Sequence, residues 1–529
     1  MSEGEAKMLQ ILNSFRGTGD QFLIQWFLLL IMALAVVFLA VTFLLLKSKL
    51  RLHQIYFTAV LWMGIIFMAV LPPLSAPDEV LHFVGAYELS NKMMLKTARD
   101  DDGNIIIRKE DEYIVNWPGD NDLNKATVLG QILSRPVYKE LHESGIFAVE
   151  EGESITLQQP VATTPLSYFM PALGISLARI LNLSAFSLLY LGRFMNLLMF
   201  CVLGAAAVRR TPVGKKVFFA VSLFPMTLEL MGSYSYDSFI IALGFYLTAV
   251  ILSHAVKGEG EKIDWRDVLE MGILAVLLSP CKMIYSTLFA LCLMIPVARW
   301  RKPSAVRWGA SVFIIGMLMA GSIVFVNLRE VLRYVNASGV TQAPELTSSG
   351  EINTVKLHDM QELLRDKTLV FRIIRNTFQI LGIQYLGTTV GMWLGAFDRG
   401  LSTGTPLLWG FWGAAFFTAL FGRKGEPVLK LWKRCFMVLI AILLTFILLV
   451  SMLLSYTPAD TFYILGVQGR YFLPYLPVLL IAFHSGMLDR KIRDIRWIEP
   501  VTVLMISAEI LMDAAVLTCC YLTVVSRAG

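Results

Sequence analysis

Residues 21–46 run for 26 positions without one charged side chain, and comparable apolar stretches recur along the chain between clusters of charge. A helix needs about 20 such residues to cross the roughly 30 Å hydrocarbon core of a bilayer, because each residue advances only about 1.5 Å. Composition points the same way. Of 529 residues, 56% are hydrophobic and 16% are charged, where soluble domains carry about 25% charge, and the mean hydropathy is +0.63. The expected fold class is an all-α polytopic membrane protein.

The first run is too long for a signal-peptide core and lacks a small-residue cleavage site, so it is expected to remain as a helix. Lys47, Lys49 and Arg51 follow it, which the positive-inside rule places in the cytoplasm. The second run, 55–73, then leaves Asp78 and Glu79 outside. The hydrophilic stretch 74–159 carries Asp100-Asp101-Asp102 and the turn Trp117-Pro118-Gly119, and is far longer than an ordinary connection. It ends in Thr163-Thr164-Pro165-Leu166-Ser167-Tyr168-Phe169, ahead of a proline-interrupted run to residue 183 of marginal spanning length.

If that run lies along the surface, the next helix, 186–208, delivers Arg209, Arg210, Lys215 and Lys216 to the cytoplasm; if it crosses, those charges land outside. On the first option, helices near 217–232, 239–256, 268–279, 284–297, 309–326, 405–421, 435–454, 472–487 and 498–522 keep the basic clusters 257–266, 299–307, 423–434 and 489–496 inside. That layout has about twelve crossings and two long extracytoplasmic segments, 74–185 and 327–404, the second with surface-lying helices such as 369–386. It divides into an N-terminal helix and turn (1–53), a transmembrane unit (54–487) and a C-terminal helix (488–529).

The net charge of +6 is therefore a topology signal and not a nucleic-acid one. Cys201, Cys281, Cys292, Cys435, Cys519 and Cys520 lie in or beside apolar runs without metal-like spacing and read as small core residues. No internal repeat, nucleotide-binding loop or soluble catalytic domain is visible.

Charge beside the membrane requires a reason. In Ser75-Ala76-Pro77-Asp78-Glu79-Val80-Leu81-His82-Phe83 two carboxylates and an imidazole follow a span broken by Pro72, Pro73 and Pro77. A new helix is expected over 76–94, with Asp78 and His82 four apart on one face. Ser75 and Asp78 also match a capping box, in which Asp78 only satisfies a free backbone N–H. On the parity above, other unusual polar residues reach the same outer face: Ser233-Tyr234-Ser235-Tyr236-Asp237, Lys282 and Tyr285, Gln468-Gly469-Arg470-Tyr471, and Arg193 with Asn196. Charged side chains inside a membrane mark sites or pathways. The milder readings are headgroup anchoring for Lys282 and Arg470, a helix cap for Asp237 and a structural ion pair for Arg193.

Pro72-Pro73, Pro77-Asp78-Glu79, His82-Phe83, Tyr236-Asp237, Lys282, Tyr285 and Gly466-Val467-Gln468-Gly469-Arg470-Tyr471-Phe472-Leu473-Pro474 resemble the bacterial integral membrane family catalogued as domain of unknown function 2142, over about 55–487. That family in turn resembles the C-type (GT-C) glycosyltransferases, which carry an Asp-Glu pair on the first outer loop and use polyprenyl-phosphate-linked sugars. Protein mannosyltransferases of that superfamily have a similar Asp-Glu-Val-His string, whereas here Leu81 intervenes before His82.

The resemblance implies an inverting glycosyltransferase of the bacterial cytoplasmic membrane, acting on a cell-wall or surface glycan at the extracytoplasmic face. Asp78 is the expected general base, with Glu79 beside it. Arg470, Lys282 and Arg193 are expected to bind the donor phosphate, and His82, Tyr236, Asp237, Tyr285, Gln468 and Tyr471 the substrate. Asp78, Glu79 and Asp237 are also the oxygen ligands available to a divalent cation such as Mg²⁺ or Mn²⁺. A transporter or flippase of lipid-linked sugars, or a non-catalytic subunit of a polysaccharide assembly system, are the alternatives.

Overall fold

The computed structural model describes residues 3–115, 135–161, 163–257, 261–300, 304–336, 342–346, 352–358, 363, 365–395, 401–402, 405–421, 426–484 and 498–526. The turn Trp117–Gly119 and the basic cluster 489–496 lie outside the described residues, as do parts of the clusters 257–266, 299–307 and 423–434 and of the outer segment 327–404.

The helices are α1 (Glu3–Ser14), α2 (Phe22–Lys47), α3 (Leu52–Val70), α4 (Glu79–Met93), α5 (Glu112–Val115), α6 (Arg135–Glu143), α7 (Phe169–Ile180), α8 (Ala185–Arg210), α9 (Lys215–Ser222), α10 (Pro225–Met231), α11 (Asp237–Val256), α12 (Trp265–Leu278), α13 (Ser304–Asn336), α14 (Lys367–Val390), α15 (Thr405–Leu420), α16 (Leu431–Ser455), α17 (Leu476–Ala482) and α18 (Ile498–Ser526). Three small antiparallel pairs, which the sequence pattern did not suggest, add β1 (Ile105–Arg108) with β2 (Glu153–Thr156), β3 (Gln342–Leu346) with β4 (Ile352–Lys356), and β5 (Trp393–Leu394) with β6 (Leu401–Ser402). In the first pair Ile105 faces Thr156 and Arg108 faces Glu153.

Among the described residues six helices are long and apolar enough to cross a membrane: α2, α3, α8, α11, α16 and Val503–Ser526 within α18. Four shorter apolar helices, Met283–Met294, Val306–Ser322, Pro406–Leu420 and Gly469–Ala482, accompany them. The protein is thus a multi-pass membrane protein. Helices suit that solvent because all their backbone polar groups pair within the segment.

Several of the twelve expected crossings take shorter forms. The run 217–232 divides into α9 and α10 because Pro225 opens α10 and holds Phe224 extended, at φ −60° and ψ 132°. The run 268–279 ends as the 14-residue α12, and 284–297 winds as a 3₁₀ helix, Met283–Met294. The marginal run before residue 183 becomes α7 of 12 residues, which at about 1.5 Å each falls well short of a bilayer core.

α8 is the hub, packed against α3, α7 and α11. The α7–α8 crossing depends on glycine: a Cβ on Gly174 would run into the backbone of Leu191 and Gly192, the close approach by which membrane helices pack without a hydrophobic driving force. A separate apolar cluster lies over this layer, where Val80, Phe83 and Tyr87 of α4 meet Ile105, Ile107, Ile175 and Leu189. The last long turn, Gly469–Tyr475, lies between α11 and α14. Cys201, Cys281 and Cys520 are buried as expected, but Cys435 and Cys519 are exposed on their helices.

Because the obstructing atoms at Gly174 are backbone and cannot rotate away, Gly174→Ala is expected to lower stability by about 1–3 kcal/mol. Thermal unfolding in detergent, followed by the loss of helical circular dichroism, measures it. An unchanged midpoint would show that the crossing tolerates a wider spacing.

Candidate functional site

Leu71 and the two prolines after it end α3, and Ser75 closes the next turn by donating from Oγ to the Pro72 carbonyl at 2.7 Å. Asp78 then adopts the left-handed conformation, φ 59° and ψ 13°, and α4 starts at Glu79 and not at residue 76. A side chain other than glycine is uncommon there, though Asp tolerates it better than most. The expected capping box does not form: the Asp78 side chain makes no cap bond.

The neighbouring carboxylates consequently diverge. Glu79 is completely buried; its Oε2 accepts from Ala76 N–H and its Oε1 from Tyr234 N–H, each at 3.0 Å. Arg193 Nε stands 3.6 Å from Oε1 and also donates to the Gly232 carbonyl, while Nη2 donates to the Leu71 carbonyl at 2.9 Å. Burial raises the Glu79 pKa, and Arg193 and the amides of Ala76 and Tyr234 pull it back. Glu79 and Arg193 thus tie two loops, 71–78 and 232–236, to α8 behind the site.

Asp78 points the other way, with 39% of its side chain exposed, and Oδ2 accepts from Arg470 Nη2 at 2.9 Å. Arg470 is only 4% exposed and its Nε lies 3.2 Å from Asp237 Oδ2. Asp237 Oδ1 in turn faces Lys282 Nζ at 3.2 Å. Asp78, Arg470, Asp237 and Lys282 therefore form one alternating row of charge drawn from four separate parts of the chain.

Asp237 is not acting as a cap, since Tyr236 occupies that position without a side-chain bond. Burial alone would lower the Lys282 pKa, but the Asp237 carboxylate outweighs it and keeps the ammonium charged. The ammonium also sits 4.0 Å from the Tyr471 ring centroid and 5.0 Å from that of Tyr236, within cation–π range.

His82 is buried, 2.8 Å from the Tyr168 hydroxyl through Nδ1 and edge-on to Tyr236. Tyr285 donates its hydroxyl proton to the Tyr471 carbonyl at 2.9 Å. Asn196 Nδ2 donates to the Ser233 and Ser235 carbonyls and braces the turn before Asp237.

Beside the charged row lies a cavity of about 420 Å³, bordered by Pro77, Gln384, Tyr385, Thr388, Trp393, Tyr456, Tyr463, Gln468 and Arg470. Its size fits the range of small-molecule sites. Among the described residues Nη1 of the buried Arg470 has no hydrogen-bond acceptor, so the guanidinium keeps donor capacity for a ligand. Gly469 holds Arg470 in place: its N–H donates to Thr388 Oγ1 at 3.0 Å and its carbonyl accepts from Thr389 Oγ1 at 3.1 Å. A Cβ there would collide with the Thr388–Thr389 backbone.

The acidic residues do not fit a divalent cation. Both Glu79 oxygens are taken by backbone amides, and the Arg470 guanidinium already stands between Asp78 and Asp237. Among the described residues the one compact group of possible metal ligands is His254, Asp267 and Glu270, and Arg210 pairs with both carboxylates there.

Of the residues singled out from sequence, Asp78, Arg470, Asp237, Lys282, Tyr236 and Tyr471 converge, with His82 and Tyr285 one contact away and Gln468 on the cavity wall. Glu79 and Arg193 stand behind them. Tyr168, Thr388, Thr389 and the cavity aromatics carried no local signal, since each contributes through partners far away in sequence.

Two outcomes follow. Glu79→Ala leaves Arg193 as a buried uncompensated charge and should cost about 3–5 kcal/mol of stability, whereas Asp78→Asn should leave the unfolding midpoint nearly unchanged. Thermal unfolding of the two variants side by side measures this, and equal losses would remove the distinction. Second, burial lowers the His82 pKa to about 4 from its usual 6.5. The unfolded chain then binds the extra proton first, so this residue's contribution to stability falls as pH drops through that window. His82→Gln should flatten that part of the curve of unfolding midpoint against pH.

Comparison with known sequences bears on the whole arrangement: residues 61–479, which contain every group of the charged row, match the predicted membrane protein family DUF2142. No curated protein matches the chain. No solved structure matches it either. The match covers most of the sequence, and the chain belongs to the DUF2142 family of predicted membrane proteins.

Proposed function

We propose that this protein is a membrane glycosyltransferase that moves a sugar from a polyprenyl-phosphate donor to a cell-envelope glycan. One observation carries the reading: a partly exposed carboxylate, Asp78, is held by a buried guanidinium, Arg470, which borders an aromatic-lined cavity and whose Nη1 has no acceptor among the described residues. A base and an anion receptor beside a sugar-sized space are what this transfer requires. The GT-C resemblance and the positive-inside pattern support a reaction at the extracytoplasmic face of the bacterial cytoplasmic membrane.

The donor phosphate binds Arg470, whose planar fork suits two phosphate oxygens, with Lys282 adding charge. Phosphate competes with Asp78 for the same guanidinium, so donor binding releases the carboxylate. Asp78 then takes the proton from the acceptor hydroxyl as its oxygen attacks the anomeric carbon. The bond from that carbon to the phosphate oxygen breaks, and the electron pair leaves with the lipid phosphate. A single displacement inverts the configuration, through an oxocarbenium-like state. Tyr236, Tyr471 and Gln468 contact the sugar; Glu79, Arg193, His82 and Tyr285 hold the frame, and no step requires a metal.

A lipid-linked sugar transporter is the second reading, favoured by the break between α9 and α10 at Phe224, since interrupted helices line many transport sites.

General-base catalysis contributes about 10²–10⁴-fold, so Asp78→Asn should remove activity by that factor, or about 3–5 kcal/mol of transition-state stabilisation. The measurement compares cells making equal amounts of wild-type protein, Asp78→Asn protein or none. A missing glycan sugar together with accumulation of its polyprenyl-linked form on the outer leaflet is the expected outcome. Accumulation on the inner leaflet instead would select the transporter, and an intact glycan would refute both.

A further inference from the structure

The C-terminal helix α18 carries two acids that the charged row does not use, Glu509 and Asp513, one helical turn apart and therefore on one face. Both are fully buried, and among the described residues none of their four carboxylate oxygens has a hydrogen-bond partner. They lie within the membrane-spanning part of α18, and Asp513 is next to the midpoint of this 29-residue helix. The side chains are near enough for the charge on Glu509 to act on Asp513. Ile506, Ile510 and Leu517 beside them are also buried, so the surroundings offer no compensation.

Helices α2, α3 and α15, and more lightly α1, α6 and α9, pack against α18, and the charged residues of α1 (Glu3, Glu5 and Lys7) precede α2 in the chain. Residues 22–46 of α2 and all of α15 contain no ionisable side chain. The basic side chains on these helices are at one end of the bundle: Lys47 closes α2 and Lys215 and Lys216 open α9, with the imidazole of His53 at the start of α3. At the other end Tyr521 donates to the Leu23 carbonyl and stacks on Tyr138 of α6, whose charged residues Arg135, Lys139, Glu140 and Glu143 lie beyond it, two turns from Asp513. A second polar contact sits in the same interface: Thr42 Oγ1 and Ser507 Oγ meet at 2.9 Å, between Glu509 and the Lys47 end.

An ionised pair of carboxylates without partners is not sustainable in this medium. A metal cation would need several more oxygen ligands, whereas the adjoining helices present backbone carbonyls already bonded within each helix. A proton requires a single oxygen. We propose that Glu509 and Asp513 form an intramembrane proton-binding site, loaded from the Lys47 end past the Ser507–Thr42 hydroxyl pair. The site is separate from the charged row and gives the protein a means of responding to proton activity.

Infrared difference spectroscopy of the full chain in lipid nanodiscs tests this, because it reads protonation without needing a reagent to reach the site. The expected result is a C=O stretch of protonated carboxyl in acid buffer that diminishes reversibly in alkaline buffer. The stretch should be lost in E509Q/D513N, partly lost in E509Q alone, and kept in E229Q, which changes another buried acid. Should the double variant not fold, E509Q and D513N singly give the same reading. A spectrum identical in wild type and E509Q/D513N, or a band indifferent to pH, would overturn the proposal. Loss of the band on replacing choline with sodium at constant pH would also overturn it, by showing a metal cation as the ligand.

Discussion

The site depends on one buried cation. Arg470 sits almost without solvent between Asp78 and Asp237, and such a guanidinium persists only where carboxylates accompany it. Everything nearby serves that pairing: the left-handed turn that aims Asp78 outward, the start of α11 that presents Asp237, and the two threonines of α14 that hold the peptide before Arg470. Lys282 completes the row and neutralises it, two acids against two bases. The low dielectric strengthens these contacts and also makes each group costly to leave alone.

The adjacent acids Asp78 and Glu79 show how backbone conformation divides chemical labour. One residue at positive φ sends neighbouring side chains in unrelated directions. Glu79 is consumed by amides and Arg193, where it can do nothing but hold loops together. Asp78 keeps a solvent-facing oxygen and a partner that an anion can draw away.

Much of this was legible beforehand for a simple reason: charge in an apolar chain is conspicuous. Asp78, Asp237, Lys282 and Arg470 stand out against their surroundings, and long runs such as 22–47 can hardly be anything but spanning helices. The number of spans was less legible, because hydropathy measures transfer into lipid and not helix continuity. Pro225 splits one run, and residues 283–294 tighten into 3₁₀ geometry. Which member of the Asp-Glu pair reaches Arg470 depends on the φ of Asp78, which composition does not encode. Tyr168 and Thr388 were invisible because their roles exist only through contacts more than eighty residues away. Glu509 and Asp513 were present in a run read simply as a closing helix, where burial gives them meaning.

The bond between Asp78 and Arg470 joins residues 392 positions apart. Synthesis proceeds from the N-terminus, and domains generally assemble in that order. Asp78, Asp237 and Lys282 therefore enter the membrane while Arg470 has yet to be made, and the nascent bundle carries an acidic surplus at its core. The last partner arrives only after α16 has been inserted. Completion of the charged row thus reports that nearly the whole polypeptide is in place, which makes the site a built-in marker of finished biogenesis: a chain interrupted before residue 470 retains an unneutralised carboxylate that distinguishes it from the mature protein.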